Sequence, residues 1–404
     1  MNADALRQRP LPRAALIASN AVPLVGAAAL DWSPAALVGL SVVEAWAVLF
    51  WTGAKVPFAR KRQSHVVEES EYTGLFEPLR AKRGAVDLPG LPPLYVRNLP
   101  TVPGLFFLGA LEAGVSLVAF ALTDPTVTPA VAEVLLAGAL GVFLARGGEF
   151  WWDYVRGGRY REGSPGELAA GPFSHLVGFA ALIAAVQLLS LATDGAGVST
   201  AAALALIVIG KIAYDLYGFW RDHAHDGEPL LAGHVAASET AVEPEPVPVP
   251  DGDPEERLRP RRRAIAIEGL ATGVRYLATG GGGRLPFFLT PLVALGAVVG
   301  GAVGIGAVLV VAAFAVVRAS VYALRFGPLE YRLYPDAVVA YDRWLDAPQA
   351  AVRYDAVREA AASPAVAGRV VDAATVELTA PDWAAGEATT VVGIADPDPV
   401  LDRL

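Results

Sequence analysis

Two ionisable side chains interrupt the apolar stretch "LIVIGKIAYDLYGFW" (Leu206–Trp220): Lys211 and Asp215. Four residues apart, they share one helix face. They can hold each other as an ion pair or, in a membrane, serve as counter-ion or carboxylate binder. Glu44 and Glu112 lie in other apolar runs. A charge at the centre of a bilayer costs about 2.5–3.5 kcal/mol on insertion scales, which makes each such residue a functional candidate. Two mid-membrane carboxyls beside a lysine suit a proton or cation path. A neutral glutamate bonding one helix to another is the plainer alternative.

A second group sits at the end of an apolar run. "RGGEFWWDYVRGGRYR" puts Glu149 and Asp153 four apart, and "FSHLVGF" supplies His175. Two carboxylates and an imidazole are divalent-metal ligands. The spacing matches no metal motif, however, and pairing with the surrounding arginines is the expected arrangement, so no metal is assigned. The chain has no cysteine, which removes disulfides, thiolate sites and cysteine nucleophiles. It also lacks HExxH, GxxxxGK[ST] and GxSxG. A non-enzymatic protein without cofactor is the expectation, and no nucleic-acid partner is indicated.

The elements that must carry these residues are long and apolar. The chain has 404 residues, 54% of them hydrophobic, and a mean hydropathy of +0.43. Stretches at 14–31, 34–53, 104–122, 128–146, 173–192 and 200–220 approach the ~20 residues that cross a bilayer. A further run, 284–326, is read as a hairpin turning at "VGGAVGIG". The expected fold is therefore an α-helical polytopic membrane protein of about eight transmembrane helices.

The segments between alternate runs, "DWSP", "TDPTVTP", "TDGAGVS" and the glycine turn near 300, contain no Lys or Arg. All 32 basic residues then fall on or near the other side, which predicts a multi-pass protein of the cell membrane with both termini cytoplasmic. Trp32, Trp51, Trp151, Trp152 and Trp220 fall at expected span ends, as an aromatic belt requires.

Five regions are expected: a six-span domain at 1–223, a disordered acidic proline-rich linker at 224–260 and an interfacial amphipathic helix at 261–283. The transmembrane hairpin at 284–326 and a small β domain at 327–404 follow. A net charge of −9 with only four lysines fits a salt-adapted organism.

Two resemblances accompany this reading. "YRLYPDAVVAYDRWLDAPQAAVRYDAVREA", "TVELTAP" and "VVGIADPDPVLDRL" resemble a bacterial PH-like domain, often preceded by a membrane hairpin. That implies a bent β-sheet capped by a helix, with no phosphoinositide ligand. "SVVEAWAVLFWTGAK", "SPGELAAGPFSHLVGF" and "GKIAYDLYGFWRDH" resemble an uncharacterised multispanning membrane family common in haloarchaea, which implies architecture and no activity. Together these suggest a membrane scaffold or sensor, with the bilayer and a protein as partners. An ion- or proton-coupled transporter or channel is the alternative.

Overall fold

The computed structural model describes residues 25, 34–63, 76–123, 129–192, 209, 210, 212, 213, 241, 242, 246–283, 301–363, 366, 368–379 and 390–404. The chain divides into two units, Met1–Ser64 with Thr101–Val242, and His65–Pro100 with Glu243–Leu404.

The first unit is helical. Helix α1 (Pro34–Lys55) packs against α2 (Val102–Thr123), α3 (Pro129–Glu149) and α4 (Pro165–Ala192), and α2 also packs against α4. Proline stands at the start of α1, α3 and α4, where the missing N–H removes no helical bond. The Ser164 hydroxyl accepts from Glu167 N at 3.3 Å, while Glu167 Oε2 accepts from Ser164 N at 2.7 Å. That reciprocal pair is a capping box, and it fixes where α4 begins. The short strands β1 (Arg62–Gln63) and β2 (Ala241–Val242) pair antiparallel.

The second unit combines a helical pair with two small sheets. Strand β3 (Glu256–Leu258) precedes α5 (Arg262–Gly283) and α6 (Gly301–Phe326), which lie along one another. Their close approach depends on glycine, because a Cβ on Gly273 would come within 2.5 Å of the Ala315 carbonyl oxygen. After α6 come β4 (Leu329–Leu333), β5 (Ala337–Asp342) and β6 (Ala347–Arg353), in an antiparallel sheet ordered β3-β4-β5-β6.

Strands β7 (Glu359–Ser363), β8 (Ala374–Thr379) and β9 (Thr390–Ile394) form the second antiparallel sheet. The short helix α7 (Gly368–Val371) stands between β7 and β8, and α8 (Asp398–Leu401) ends the chain. Inward residues of both sheets, including Leu333, Val338, Val352, Val376 and Ile394, form one core with Val400 of α8. The Tyr331 hydroxyl, buried in it, accepts from Val392 N at 2.9 Å and so ties β4 to β9.

The expected eight-span fold does not hold. Among the described residues one helical segment, Val96–Ser116, is long and apolar enough to cross a membrane, and two small antiparallel sheets stand beside the helices. The count rested on apolar length, which charged and polar groups interrupt: Glu44 within 34–53, Glu133 and Arg146 within 128–146, His175 within 173–192, and Arg318 and Arg325 within 284–326. Most of the expected runs 14–31 and 200–220, and residues 284–300 of the expected hairpin, lie outside the described residues.

Two further features depart from a simple succession of domains. Residues 76–100, expected as a loop of the membrane domain, belong to the unit that holds the sheets. Glu256–Leu258, inside the expected linker, is the edge strand β3.

Candidate functional site

In the helical unit the charges form a ladder between α1 and α3. Arg146 lies 4.0 Å from Glu44 and donates to Glu149 at 3.0 Å, and Lys55 donates to Glu149 at 2.6 Å. Lys55 ends α1 and Glu149 ends α3, so the pair joins two helix termini. The cation at a helix C-terminus is itself favourable.

The chain then enters a π-helical turn, Phe150–Arg156, where Gly157 N donates to Trp152 O at 3.0 Å. Such turns are rare and cluster at functional sites. Here the turn sets Tyr154 so that its hydroxyl donates to Lys55 O at 2.9 Å. Trp51 Nε1 donates to Phe143 O at 3.0 Å, and its ring packs against Phe50, Phe143 and Phe150.

Burial pushes the Glu149 carboxyl up, but Lys55 and Arg146 together outweigh it and hold the group down at about 2. Lys55 and Arg146 thus favour the ionised form of Glu149, which clasps the two helix ends. Asp153 is engaged separately, accepting from Arg159 at 2.9 Å. His175 is half-buried in α4. Among the described residues no three His, Asp or Glu side chains come together in a metal-holding group.

Glu44 and Glu112 are both buried, at 5% and 2% exposure. A Cβ on Gly53 would lie 3.9 Å from Leu105, and one on Gly109 would lie 3.3 Å from Trp46. Helices α1 and α2 thus run antiparallel, and this register sets Glu44 and Glu112 within roughly one helical turn along the interface. Their surroundings differ. Glu44 has the Arg146 guanidinium near it, whereas Glu112 Oε1 has no hydrogen-bond partner among the described residues. The neighbouring Ser116 hydroxyl donates to the Glu112 carbonyl, not to its carboxyl. Lys211 and Asp215 lie outside the described residues.

In the second unit the notable pair is one that sequence reasoning missed. Lys82 donates to Asp342, and both side chains are buried. The other carboxylate oxygen of Asp342 accepts from Trp344 N at 2.9 Å and Leu345 N at 3.1 Å. Burial pulls the Lys82 amine below its usual range despite the attraction of Asp342.

Beside the pair lies a small cavity of about 50 Å³, lined in part by Lys82, Arg325, Tyr331, Gln349 and Thr390. Asp342 spends its acceptors on the fold, so the pair acts as a clasp between residues 76–100 and β5. The one sequence signal for it was the rarity of lysine in an arginine-rich chain.

A helical unit held by interhelical charges, with a mixed α/β unit after it, describes the class of protein. The chain belongs to a family of unknown function (DUF6498), whose model matches residues 2–232. Neither a curated protein nor a solved structure matches it.

Proposed function

We propose that this chain is a non-enzymatic scaffold or sensor of the cell membrane, whose α/β unit is an interaction module for a protein partner. One observation carries the membrane part of the reading. The helical unit has an apolar core of Leu49, Val56 and Leu105, yet it also exposes several large apolar residues while burying two glutamates. Phe106 is 76% exposed, Leu136 73%, Leu144 63% and Phe50 56%, while Ala45, Ala47, Glu44 and Glu112 are buried. Water would penalise that arrangement at about 25 cal/mol per Å² of apolar surface, and exposed patches of this kind mark contact with lipid or protein. In lipid, an apolar exterior and polar contacts between helices are the expected pattern. The distribution of Lys and Arg supports basic segments on the cytoplasmic side.

The resemblance of the second unit to bacterial PH-like modules is supported by its four- and three-stranded antiparallel sheets and its terminal helix, Asp398–Leu401. Its clasp residues are spent on structure, which favours recognition over catalysis. The test is fractionation of cells expressing the full chain. The protein is expected to stay with membranes through an alkaline carbonate wash and to leave them in detergent. Release by carbonate would overturn the reading.

A second reading, proton- or cation-coupled transport, is favoured by a single feature, the buried Glu112 Oε1 that has no hydrogen-bond partner among the described residues.

A further inference from the structure

The turn joining β5 to β6, "DRWLDA" (Asp342–Ala347), is held from three directions. Asp342 accepts from Trp344 N and Leu345 N and is clasped by Lys82. Arg83 N donates to the Gln349 side chain at 2.8 Å, and that side chain donates back to Arg83 O at 3.0 Å. Gly84, at φ +84°, sits so close that a Cβ there would meet the Leu345 carbonyl and the Ala347 side chain at 2.7 Å. Only glycine takes that backbone conformation without strain.

This firmly built turn leaves its largest side chain unused, with Trp344 65% exposed. A tryptophan so placed leaves most of its surface uncovered.

The turn's position supplies a use. Arg343 donates to Pro328 O through both its backbone N, at 3.2 Å, and its Nε, at 3.3 Å. Pro328 stands two residues beyond the end of α6. That helix and its partner α5 carry exposed Leu309, Val316, Leu324, Leu270 and Val274. The Trp344 turn is thus stitched to the point where a helix pair with several exposed apolar side chains gives way to a sheet. Arg343 is exposed in the turn itself and Arg83 bonds Gln349 beside it, while Asp342 is engaged by Lys82 and the exposed Asp346 carboxylate accepts from the Tyr341 hydroxyl at 2.5 Å.

Tryptophan favours the boundary between hydrocarbon and water, and arginines near it attract anionic headgroups. We infer that the β5–β6 turn docks this unit on an anionic lipid surface, with Trp344 in the headgroup layer and Arg343 facing lipid phosphates. This deepens the membrane reading and rests on it.

The absence of cysteine makes the test direct. Trp344→Cys carries an environment-sensitive fluorophore in the full chain, and Val370→Cys, exposed in α7, carries the same probe as the control. Both proteins are reconstituted into phosphatidylcholine vesicles with and without phosphatidylglycerol. Quenching is measured with a spin label on the lipid headgroup and with aqueous iodide.

The inference expects several-fold stronger headgroup quenching at 344 than at 370, strengthened by phosphatidylglycerol, with iodide protection at 344 alone. Equal iodide access at both sites, in protein that withstands the carbonate wash, would overturn the docking and leave the membrane reading intact. Protection at 344 already present in detergent, without vesicles, would assign the turn to a protein contact and also overturn it. Loss of the protein from vesicles in carbonate would overturn both.

Discussion

Lys82 and Asp342 meet as a buried ion pair across 260 positions of sequence, and that contact joins residues 76–100 to the sheet. Removing one partner leaves the other charge buried without compensation. Lys82→Met is expected to cost the second unit about 3–5 kcal/mol, read as a lowered unfolding midpoint in denaturant. A loss under about 1 kcal/mol would place the pair among ordinary surface contacts.

The Lys55–Glu149–Arg146 cluster gives a pH dependence with a definite sign. The folded-state value of Glu149, about 2, lies below the ordinary 4.5. Its contribution is therefore complete above the unfolded value and is lost as pH falls from there towards the folded one. Thermal melting across that acid range should show the wild type losing stability more steeply than Glu149→Gln. Parallel slopes would contradict the assigned role.

Gly273 packs against the Ala315 backbone, which has no side chain that could rotate away. Gly273→Leu should force α5 and α6 apart and cost about 1–3 kcal/mol or more, as overpacking does. A cysteine pair at Gly269 and Ala319, whose backbones also approach closely, should cross-link readily in the wild-type background and poorly beside Gly273→Leu. Undiminished cross-linking would mean that the helix contact survives the added bulk.

Glu112 separates the two functional readings. A neutral glutamic acid in an apolar interface is matched by glutamine, so Glu112→Gln should change stability by no more than about 1 kcal/mol, whereas Glu112→Lys should greatly reduce folded protein. The scaffold reading expects Glu112→Gln to leave proton or cation flux into vesicles unchanged from protein-free controls. Flux in the wild type that disappears in Glu112→Gln would establish the transport reading instead.

The helices were legible in the sequence because their signal is local. The apolar runs at 34–53, 104–122, 128–146 and 173–192 fall on Pro34–Lys55, Val102–Thr123, Pro129–Glu149 and Pro165–Ala192, the third beginning one residue early. The alternating valines and tyrosines of 329–353 likewise marked β4 to β6.

The expected count of eight spans failed, because apolar length does not say what a helix packs against. Neither was the placement of residues 76–100, which rests on a lysine and a left-handed glycine whose partners lie far along the chain. Three residues of β3 beside prolines carry too little pattern to be read as a strand. Glu44 and Glu112, both buried, stood out in the sequence because an acid within an apolar run is conspicuous. The Arg146–Glu149–Lys55 ladder needed the crossing of α1 and α3, which no local spacing encodes.

The claim that the helical unit's exterior faces lipid is tested most directly by a labelling scan along α2. Single cysteines at Phe106, Phe107 and Leu111, which are exposed, and at Leu105 and Glu112, which are buried, would be placed in vesicle-reconstituted protein. The account predicts that a lipid-soluble photoreactive probe labels 106, 107 and 111 and spares 105 and 112, with a water-soluble maleimide reaching none of the five. Ready maleimide labelling at 106, 107 and 111 would mean that water covers this face, and the membrane reading would fall.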